Sequence, residues 1–314
     1  NNPSVQNISK NEEGKKSSID PELVKQIEES ILDSSPNIKF EDIQGLDDVK
    51  SIIKETIILP TMRPDIFKGL LSPSKGILLY GPPGNGKTMM AKAIATECKS
   101  TFFNISASTL TSKWMGEGER LMRALFTLAN ERAPSVIFMD EIDAIMSSRG
   151  GNEHEASRRM KTEFLVQFDG VSSSTSKILV LAATNRPFDL DEAALRRLTK
   201  RIYLPLPDIE ARKGLVMHTL SKGPHYDLDD QQLQIVVEII KGYSGADITA
   251  LIKEAAMVPV RELTTEKLME IKDMNEIRQI SLEDIKKATK VVTASVSKAT
   301  IDEFEDWRKD KGAA

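Results

Sequence analysis

Short apolar runs alternate with longer amphipathic stretches along the chain up to about residue 207. The runs predict buried strands, and the stretches between them repeat apolar residues at helical spacing. We expect strands at 76–80, 101–105, 135–140, 177–183 and 200–204, alternating with helices at 87–98, 117–131, 154–167 and 191–197. This alternation predicts an α/β fold, in which helices cover both faces of a parallel sheet.

The pattern changes after Pro205 and Pro207, where the strand signals stop. Periodic stretches at 209–221, 229–241, 245–262 and 281–292 predict a second, all-α domain. A final helix at 298–309 carries Ile301, Phe304 and Trp307 on one face, and two more helices are expected ahead of the sheet, at 21–32 and 47–58. We therefore divide the chain into a flexible linker (1–19), a large α/β domain (20–207), a small helical domain (208–294) and a C-terminal helical region (295–314).

The composition is that of a soluble globular protein, with 40% hydrophobic and 29% charged residues in a chain of 314. The formal net charge is −4, so an acidic partner would have to meet a local basic patch. The single cysteine, Cys98, excludes an intramolecular disulfide and suits a reducing compartment. The sequence has no apolar run of transmembrane length, no signal peptide and no basic, aromatic-interleaved groove for nucleic acid. Because the chain starts without Met in a polar stretch, we expect a fragment.

The candidate chemistry begins where the apolar run at 77–80 enters a glycine-rich turn and a helix follows. Residues 81–88 match G-x-x-x-x-G-K-[ST], the phosphate-binding loop. Glycines let backbone N–H groups point at phosphate oxygens, and the helix N-terminus adds the positive end of its dipole. Lys87 would reach the β- and γ-phosphates of ATP, and Thr88 would bind Mg²⁺. The residues expected to bind ATP here are Gly81, Pro82, Pro83, Gly84, Asn85, Gly86, Lys87, Thr88 and Met89.

Two carboxylates end the predicted strand at 135–140. Asp140 is placed to hold Mg²⁺, directly or through water, and Glu141 is placed to polarise an attacking water as general base. Acidic residues at the exposed end of an ordinary strand are the alternative, which the phosphate-binding loop disfavours. The combination indicates hydrolysis of a nucleoside triphosphate rather than simple binding.

Three further polar residues lie at the ends of predicted elements. Asn185 comes after the strand at 177–183, so its amide could contact the γ-phosphate or orient the water, although an asparagine that turns the chain before Pro187 is the alternative. Arg196 and Arg197 end a helix. Arginine stabilises developing phosphoryl charge when a neighbouring subunit supplies it, whereas solvated arginines at a helix C-terminus are the alternative.

These motifs occur in the order expected of AAA+ ATPases, and the chain resembles that family from about Phe40 onwards. The resemblance implies a large α/β domain, a small helical lid and a homohexameric ring with ATP at the subunit boundaries. It also implies that Arg196 and Arg197 are arginine fingers acting in trans and that Asn185 is the sensor of the large domain.

The same resemblance extends to the expected adenine pocket. Asp42, Ile43 and Gly45 match the segment that lies against adenine in relatives. Many relatives carry an arginine sensor in the lid, but the matching segment here contains Gly245 and Ala246, so that role is absent. We expect those two residues to pack near the nucleotide.

A narrower resemblance is to the meiotic clade, which includes spastin, katanin, fidgetin-like proteins and the ESCRT-disassembly ATPase. Stretches 102–108, 110–119, 153–171 and 258–263 carry it, and Asn85 favours the spastin group over the fidgetin-like group. In that clade the C-terminal helix packs back on the ring. The first pore loop would contain Lys113, Trp114 and Met115, and the second His154, Arg158 and Arg159. An intersubunit role for the two arginines is the alternative to substrate binding.

The resemblance implies an ATPase that pulls the glutamate-rich tail of tubulin through a basic pore and so severs microtubules. It implies a location in the cytoplasm on the microtubule cytoskeleton, and also at the centrosome or in the nucleus. We expect no nucleic-acid partner and no membrane contact from this fragment. A fidgetin-like severing ATPase and an ESCRT-disassembly ATPase are the rivals within the class, and a non-hydrolysing nucleotide-dependent scaffold is the rival outside it.

Overall fold

A computed structural model of the chain describes residues 20–33, 36–113, 117–147, 155–173, 177–223, 225–273 and 276–312. Six strands form one sheet in the order β1-β3-β4-β5-β2-β6. They are β1 (Leu32–Asp33), β2 (Gly76–Tyr80), β3 (Thr101–Ser106), β4 (Ser135–Asp140), β5 (Ile178–Thr184) and β6 (Lys200–Tyr203). Strands β2 to β6 pair in parallel, and β1 pairs antiparallel with β3. The predicted α/β fold is confirmed.

The helices of the large domain cover both faces of this sheet. They are α1 (Pro21–Ser30), α2 (Asp47–Ile53), α3 (Leu59–Met62), α4 (Lys87–Glu97), α5 (Ala107–Lys113), α6 (Gly118–Glu131), α7 (Asp143–Met146), α8 (Glu155–Ser173) and α9 (Glu192–Arg197). Strand residues alternate between the two cores: Leu78 and Tyr80 face one, whereas Ile77 and Leu79 face the other. This alternation explains why β2 is apolar at every position, since both of its faces are buried.

Short helices α5 and α7 were not predicted, and the predicted helix at 154–167 continues to Ser173. The predicted helix at 21–32 is wrong at its end. Helix α1 stops at Ser30, and Leu32 and Asp33 pair instead with Phe103 and Phe102. The backbone N–H of Asn104 donates to the Ile31 carbonyl oxygen at 2.8 Å, so pairing with the sheet edge replaces the last helical turn.

The small domain is helical in its described part, and its helices are α10 (Ile209–Leu220), α11 (Asp230–Ile239), α12 (Gly245–Arg261), α13 (Thr265–Glu270) and α14 (Leu282–Ala288). It has a core of its own, which includes Val216, Val236, Ile248 and Ile285. A buried arginine, Arg212, donates to the carbonyl oxygens of Val237 (3.0 Å) and Pro207 (3.1 Å). This side chain therefore ties the junction between the domains to the interior of the small one.

The last helix, α15 (Lys298–Lys311), lies against the large domain. Phe304 has no exposed surface, and its ring centroid lies 6.1 Å from that of Tyr203 and 6.0 Å from that of Phe188. The Trp307 and Tyr80 rings pack in a T-shaped arrangement, with 4.7 Å between their centroids. After the small domain, the chain thus returns to the large domain and packs on the face of the sheet that carries Leu78 and Tyr80.

Candidate functional site

The glycine-rich loop at 81–86 joins β2 to α4, and Lys87 is the first residue of that helix. The Lys87 ammonium is buried and donates to the carbonyl oxygens of Gly81 (2.9 Å) and Pro82 (2.8 Å). Burial lowers the pKa of Lys87 to about 8, while the nearby Asp140 carboxylate acts in the opposite direction. Because its bonds are to neutral carbonyl oxygens, an anion held at the loop would stabilise the charged form.

Two glycines let the loop fit between the sheet and the small domain. A Cβ at Gly81 would lie 2.3 Å from the Leu204 carbonyl oxygen, and one at Gly84 would lie 2.8 Å from the Ala246 Cβ. Both have positive φ, at 145° and 77°. The backbone N–H of Ala246 also donates to the Gly84 carbonyl oxygen at 3.0 Å. The loop is therefore bonded directly to the small domain.

The donor set for a metal lies between α4 and β4. The Thr88 hydroxyl donates to one carboxylate oxygen of Asp140 at 3.0 Å, and the other oxygen accepts the Glu141 backbone N–H at 2.9 Å. A hydroxyl and a carboxylate beside phosphate oxygens are the hard ligands that Mg²⁺ takes in proteins. Thr88 and Asp140 therefore fit the ion that the sequence predicts for them.

The Glu141 carboxylate is bonded to residues that sequence reasoning did not identify. Its Oε2 accepts hydrogen bonds from the Ser106 hydroxyl (3.1 Å) and the Ser108 hydroxyl (2.5 Å). Ser106 is the sheet partner of Asp140, so the register of β3 on β4 brings it beside the next residue. The sequence predicts the strand at 101–105, which Ser106 continues. It does not show that this strand lies beside the one that ends at Asp140, so the contact could not be predicted. Glu141 itself has φ of 53°, which turns the chain sharply after β4.

Two asparagines place unpaired polar atoms in this region. Among the described residues, the Asn185 Oδ1 and both side-chain polar atoms of Asn85 are buried without a hydrogen-bond partner. Leaving such a group unsatisfied costs about 1–3 kcal/mol, so a polar ligand would be favoured here. The Thr184 hydroxyl, at the end of β5, donates to the Asp143 carboxylate at 2.5 Å and accepts the Arg186 N–H at 2.9 Å. These bonds hold the turn that carries Asn185.

A cavity of about 440 Å³ opens beside the loop, between the large and small domains. The predicted residues that line it are Asp42, Ile43, Gly84, Asn85, Gly86, Met89, Gly245 and Ala246. Gln44, Leu46 and Leu215 line it as well and were not predicted. Gly45 is not among the residues that line this cavity, and it packs closely on α10. A Cβ there would lie 2.4 Å from the Ala211 Cβ.

The two candidate finger arginines have different surroundings. The Arg196 side chain is 78% exposed and pairs with Glu192, one turn earlier, at 3.2 Å. Arg197 is only 26% exposed and makes two parallel bonds to the Asp169 carboxylate, at 2.8 and 2.6 Å. These bonds hold the pKa of Asp169 below and that of Arg197 above its ordinary value. Arg196 is thus available to a neighbour, whereas Arg197 is engaged within its own chain.

The predicted pore residues are only partly within the described chain. Trp114, Met115 and His154 lie outside the described residues, and of Lys113 only the backbone, at the end of α5, is described. Arg158 and Arg159 are exposed on the first turns of α8. Glu119 and Glu163 line the same cavity, and Glu163 forms two hydrogen bonds with Arg123, each of 3.0 Å, so acidic side chains lie among the basic ones here.

Two family models match the chain. The model for the ATPase family associated with various cellular activities (AAA) matches residues 77–206, and the AAA+ lid domain model matches residues 230–286. The first range contains the phosphate-binding loop, Asp140, Glu141, Arg196 and Arg197. The second contains most of the small domain.

Individual relatives match over 94% of the chain. Spastin of Xenopus tropicalis is 49% identical over 297 residues, and fidgetin-like protein 1 of Xenopus laevis is 50% identical over 297. The chain spans 49% and 45% of the length of those two proteins. The crystal structure of the FIGL-1 AAA domain in complex with ADP superposes with a TM-score of 0.87 at 45% identity, and the match covers 94% of this chain and 98% of that one. From its sequence, its fold and its candidate site, the chain belongs to the AAA family of ATPases.

Proposed function

We propose that the chain is the ATP-hydrolysing part of a homohexameric motor that severs microtubules by pulling the glutamate-rich tail of tubulin through a central pore. The observation that carries the proposal is the meeting of Lys87, Thr88, Asp140 and Glu141 at one end of the sheet. This set has a phosphate ligand, a pair of metal ligands and a base, which together suit hydrolysis rather than binding alone.

Each side chain has a defined task in the proposed reaction. Lys87 and the N–H groups of the loop bind the phosphates of ATP. Thr88 and Asp140 hold Mg²⁺, which when bound neutralises charge on the phosphate oxygens. Glu141 takes the proton of the attacking water, and Asn185 orients that water or the γ-phosphate. The lining of the cavity, including Ile43, takes the adenine.

The site is completed by a second copy of the chain. Arg196 is exposed and points to solvent with one surface ion pair, so it is free to enter a neighbour's site. Arginine supplied in trans stabilises the charge that develops on a transferred phosphoryl group. If each subunit supplies Arg196 to the next, the contacts are head-to-tail. Head-to-tail contacts that close into a ring leave no ATP site without an arginine, so a closed ring is favoured.

Substrate contact is proposed for the residues that follow α5 and begin α8. Trp114 would grip a threaded peptide by apolar area, without reading its sequence. Arg158 and Arg159 would attract an acidic tail by their charge. Glu119 and Glu163 line the same cavity and would weaken that attraction. The choice of tubulin rests on the family resemblance and on this local charge.

The first experiment measures ATP turnover by the wild-type chain and by Glu141→Gln, which keeps the shape of the side chain and removes its basicity. We expect nucleotide binding to persist, turnover to fall by roughly 10²- to 10⁴-fold and the ATP-bound hexamer to become more stable. Undiminished hydrolysis would contradict the role of Glu141. A wild-type chain that binds ATP without turnover would instead support the scaffold alternative.

The second experiment images taxol-stabilised microtubules with the chain and ATP, with tail-cleaved microtubules as the control. Intact microtubules should be severed and tail-cleaved ones should persist. Trp114→Ala should keep basal ATP hydrolysis and lose severing, because the grip is separate from the nucleotide site. Severing that survives this substitution would exclude Trp114 as the grip.

The third experiment mixes Arg196→Ala chains with Glu141→Gln chains. Each mixed ring contains boundaries where an intact Glu141 site faces an intact Arg196, so activity should reappear. No recovery would mean that Arg196 does not act across a boundary. Because the fidgetin-like relative is as similar to this chain as spastin is, a fidgetin-like severing ATPase remains the second candidate within the same proposal.

A further inference from the structure

A second cavity lies at the opposite end of the sheet from the phosphate-binding loop. Its volume is about 300 Å³, and it is lined by Lys75, Ser135 and Ile178, which stand at or just before the amino ends of β2, β4 and β5. Because β4 runs from Ser135 to Asp140, about 16 Å of strand separates this cavity from the metal ligands. No described residue lines both this cavity and the one beside the loop. We call the second one the amino-end cavity.

The walls of the amino-end cavity are apolar in character, although several of their residues are polar. Ile57, Val136 and Ile178 are buried side chains of the large-domain core. Five hydroxyl groups also line the cavity, and each is placed to donate to a backbone carbonyl oxygen at 2.7–3.3 Å; they belong to Thr56, Thr61, Ser74, Ser100 and Ser135. Since these donors have partners within the chain, a ligand that fills the space needs an apolar body.

The charged side chains of the amino-end cavity have one sign. Among the described residues that line it, Lys75 and Lys177 are cations and none is an aspartate or a glutamate, although the chain as a whole has a net charge of −4. The Lys75 ammonium donates to the neutral carbonyl oxygen of Val171 at 2.7 Å, and burial lowers the pKa of Lys75. An anion beside this ammonium would favour its charged form. The charges therefore suit a ligand with an anionic group.

We propose that the amino-end cavity binds a small amphipathic anion, which has an apolar ring system or short chain and one carboxylate or similar anionic group. The apolar body lies against Ile57, Val136 and Ile178, and the anionic group lies at Lys75 and Lys177. Ligand pockets occupy about 300–1,000 Å³, so this cavity takes a molecule of the size of a short-chain fatty acid. The site is separate from the ATP site, so both ligands bind at once, and the proposal does not depend on ATP hydrolysis.

The test measures binding of anilinonaphthalene sulfonate, an aromatic anion whose fluorescence rises in apolar surroundings, while saturating Mg-ADP fills the ATP site. We expect saturable binding to one site, from which octanoate displaces the dye. Phenylnaphthylamine, which has the same rings without the sulfonate, should bind roughly tenfold more weakly, because hydrogen bonds to charged groups are the strong ones. Octanol, which lacks the carboxylate of octanoate, should displace the dye correspondingly less well.

Two lysine variants locate the dye, and a third is their control. Lys75→Met should weaken dye binding by roughly tenfold, and Lys177→Met should weaken it in the same direction. The matched control is Lys68→Met, which removes an exposed lysine of the same loop that is not among the lining residues. It should leave the affinity for the dye unchanged.

Cys98, the single cysteine of the chain, lies in the wall of the cavity and gives a second measurement. Burial raises the pKa of its thiol, so it reacts slowly and serves as a reporter rather than as a nucleophile. Octanoate at ten times its Kd should slow alkylation of Cys98 by N-ethylmaleimide by roughly tenfold, since only the unoccupied fraction reacts. If Lys75→Met fails to bind a fluorescent ADP analogue, and is therefore misfolded, this protection and Lys177→Met test the site without it.

Each contrary result overturns the proposal in a different way. A dye signal that Mg-ADP abolishes would mean that the dye binds in the ATP site only. Equal affinity for phenylnaphthylamine would exclude an anionic group as part of the recognition. Unchanged dye binding in the variants of Lys75 and Lys177, together with a Cys98 thiol that octanoate does not protect, would mean that no such ligand enters the cavity. These results leave the proposed function untouched, because ATP turnover tests that separately.

Discussion

The packing of α15 on the large domain predicts a large loss of stability in Phe304→Ala. The ring has no exposed surface and lies against Tyr203 and Phe188, so the change removes buried apolar area and leaves a cavity. Truncation of a buried phenylalanine costs about 3–5 kcal/mol in the free energy of unfolding. The two ring contacts, each worth about 0.5–1.5 kcal/mol beyond area, place the expected loss near the upper end.

Urea unfolding followed by far-ultraviolet circular dichroism measures this loss, and Glu303→Ala on the exposed side of α15 is the control. The control should change the free energy of unfolding by less than about 0.5 kcal/mol, as surface substitutions do. The midpoint for Phe304→Ala should fall well below that of the wild type, with a similar slope. A loss of less than about 1 kcal/mol would refute the reasoning, because it would mean that α15 is not part of the large-domain core.

Three further predictions concern the site and the small domain. Gly45→Ala should lower the free energy of unfolding by about 1–3 kcal/mol in urea unfolding, because φ is 66° and the new Cβ would overlap Ala211; unchanged stability would contradict this. The pKa of Lys87 is about 8, so above that pH Lys87 must take up a proton when a triphosphate binds. The affinity for the triphosphate should therefore fall by up to about tenfold per pH unit above pH 8. Calorimetry in buffers of different ionisation enthalpy measures the proton uptake. Arg278 lowers the pKa of Asp284 to about 2, so this pair contributes stability above pH 3.8 that is lost as the pH falls toward 2. Arg278→Met should reduce that acid dependence, leaving only the part due to the Ser281 hydrogen bonds to Asp284, and should destabilise the chain by about 2–3 kcal/mol at neutral pH, as measured by urea unfolding.

The features that could be predicted from the sequence are those encoded by consecutive residues. The glycine loop with Lys87 and Thr88, and the strand that ends in Asp140, combine a local pattern with a local chemical role. The strands of the parallel sheet were predictable for the same reason, since a strand buried on both faces is an uninterrupted apolar run.

The features that were not predictable depend on which distant elements meet. The bond between Ser108 and Glu141 joins residues 33 positions apart and requires β3 to lie beside β4. The pair formed by Arg197 and Asp169 joins α9 to α8. It gives Arg197 different surroundings from Arg196, although the two arginines look equivalent in the sequence. The β1 strand was missed because two residues are too few for any period, and its apolar Leu32 continued the face of α1.

The path of the chain around the small domain has a mechanical consequence. This domain leaves the sheet through the Pro207 junction, which Arg212 holds, and its end returns to the sheet through α15. Between the two, the Tyr243 hydroxyl donates to the Val292 carbonyl oxygen at 2.8 Å, and the Ser295 hydroxyl donates to Asp247 at 2.9 Å. The chain itself thus joins the small domain to the sheet at two points, and the bond from the Ala246 N–H to the Gly84 carbonyl oxygen is the contact that must break for this domain to turn about the line between them. The small domain is therefore expected to swing along one arc rather than tumble, so that each cycle of opening and closing repeats the same stroke.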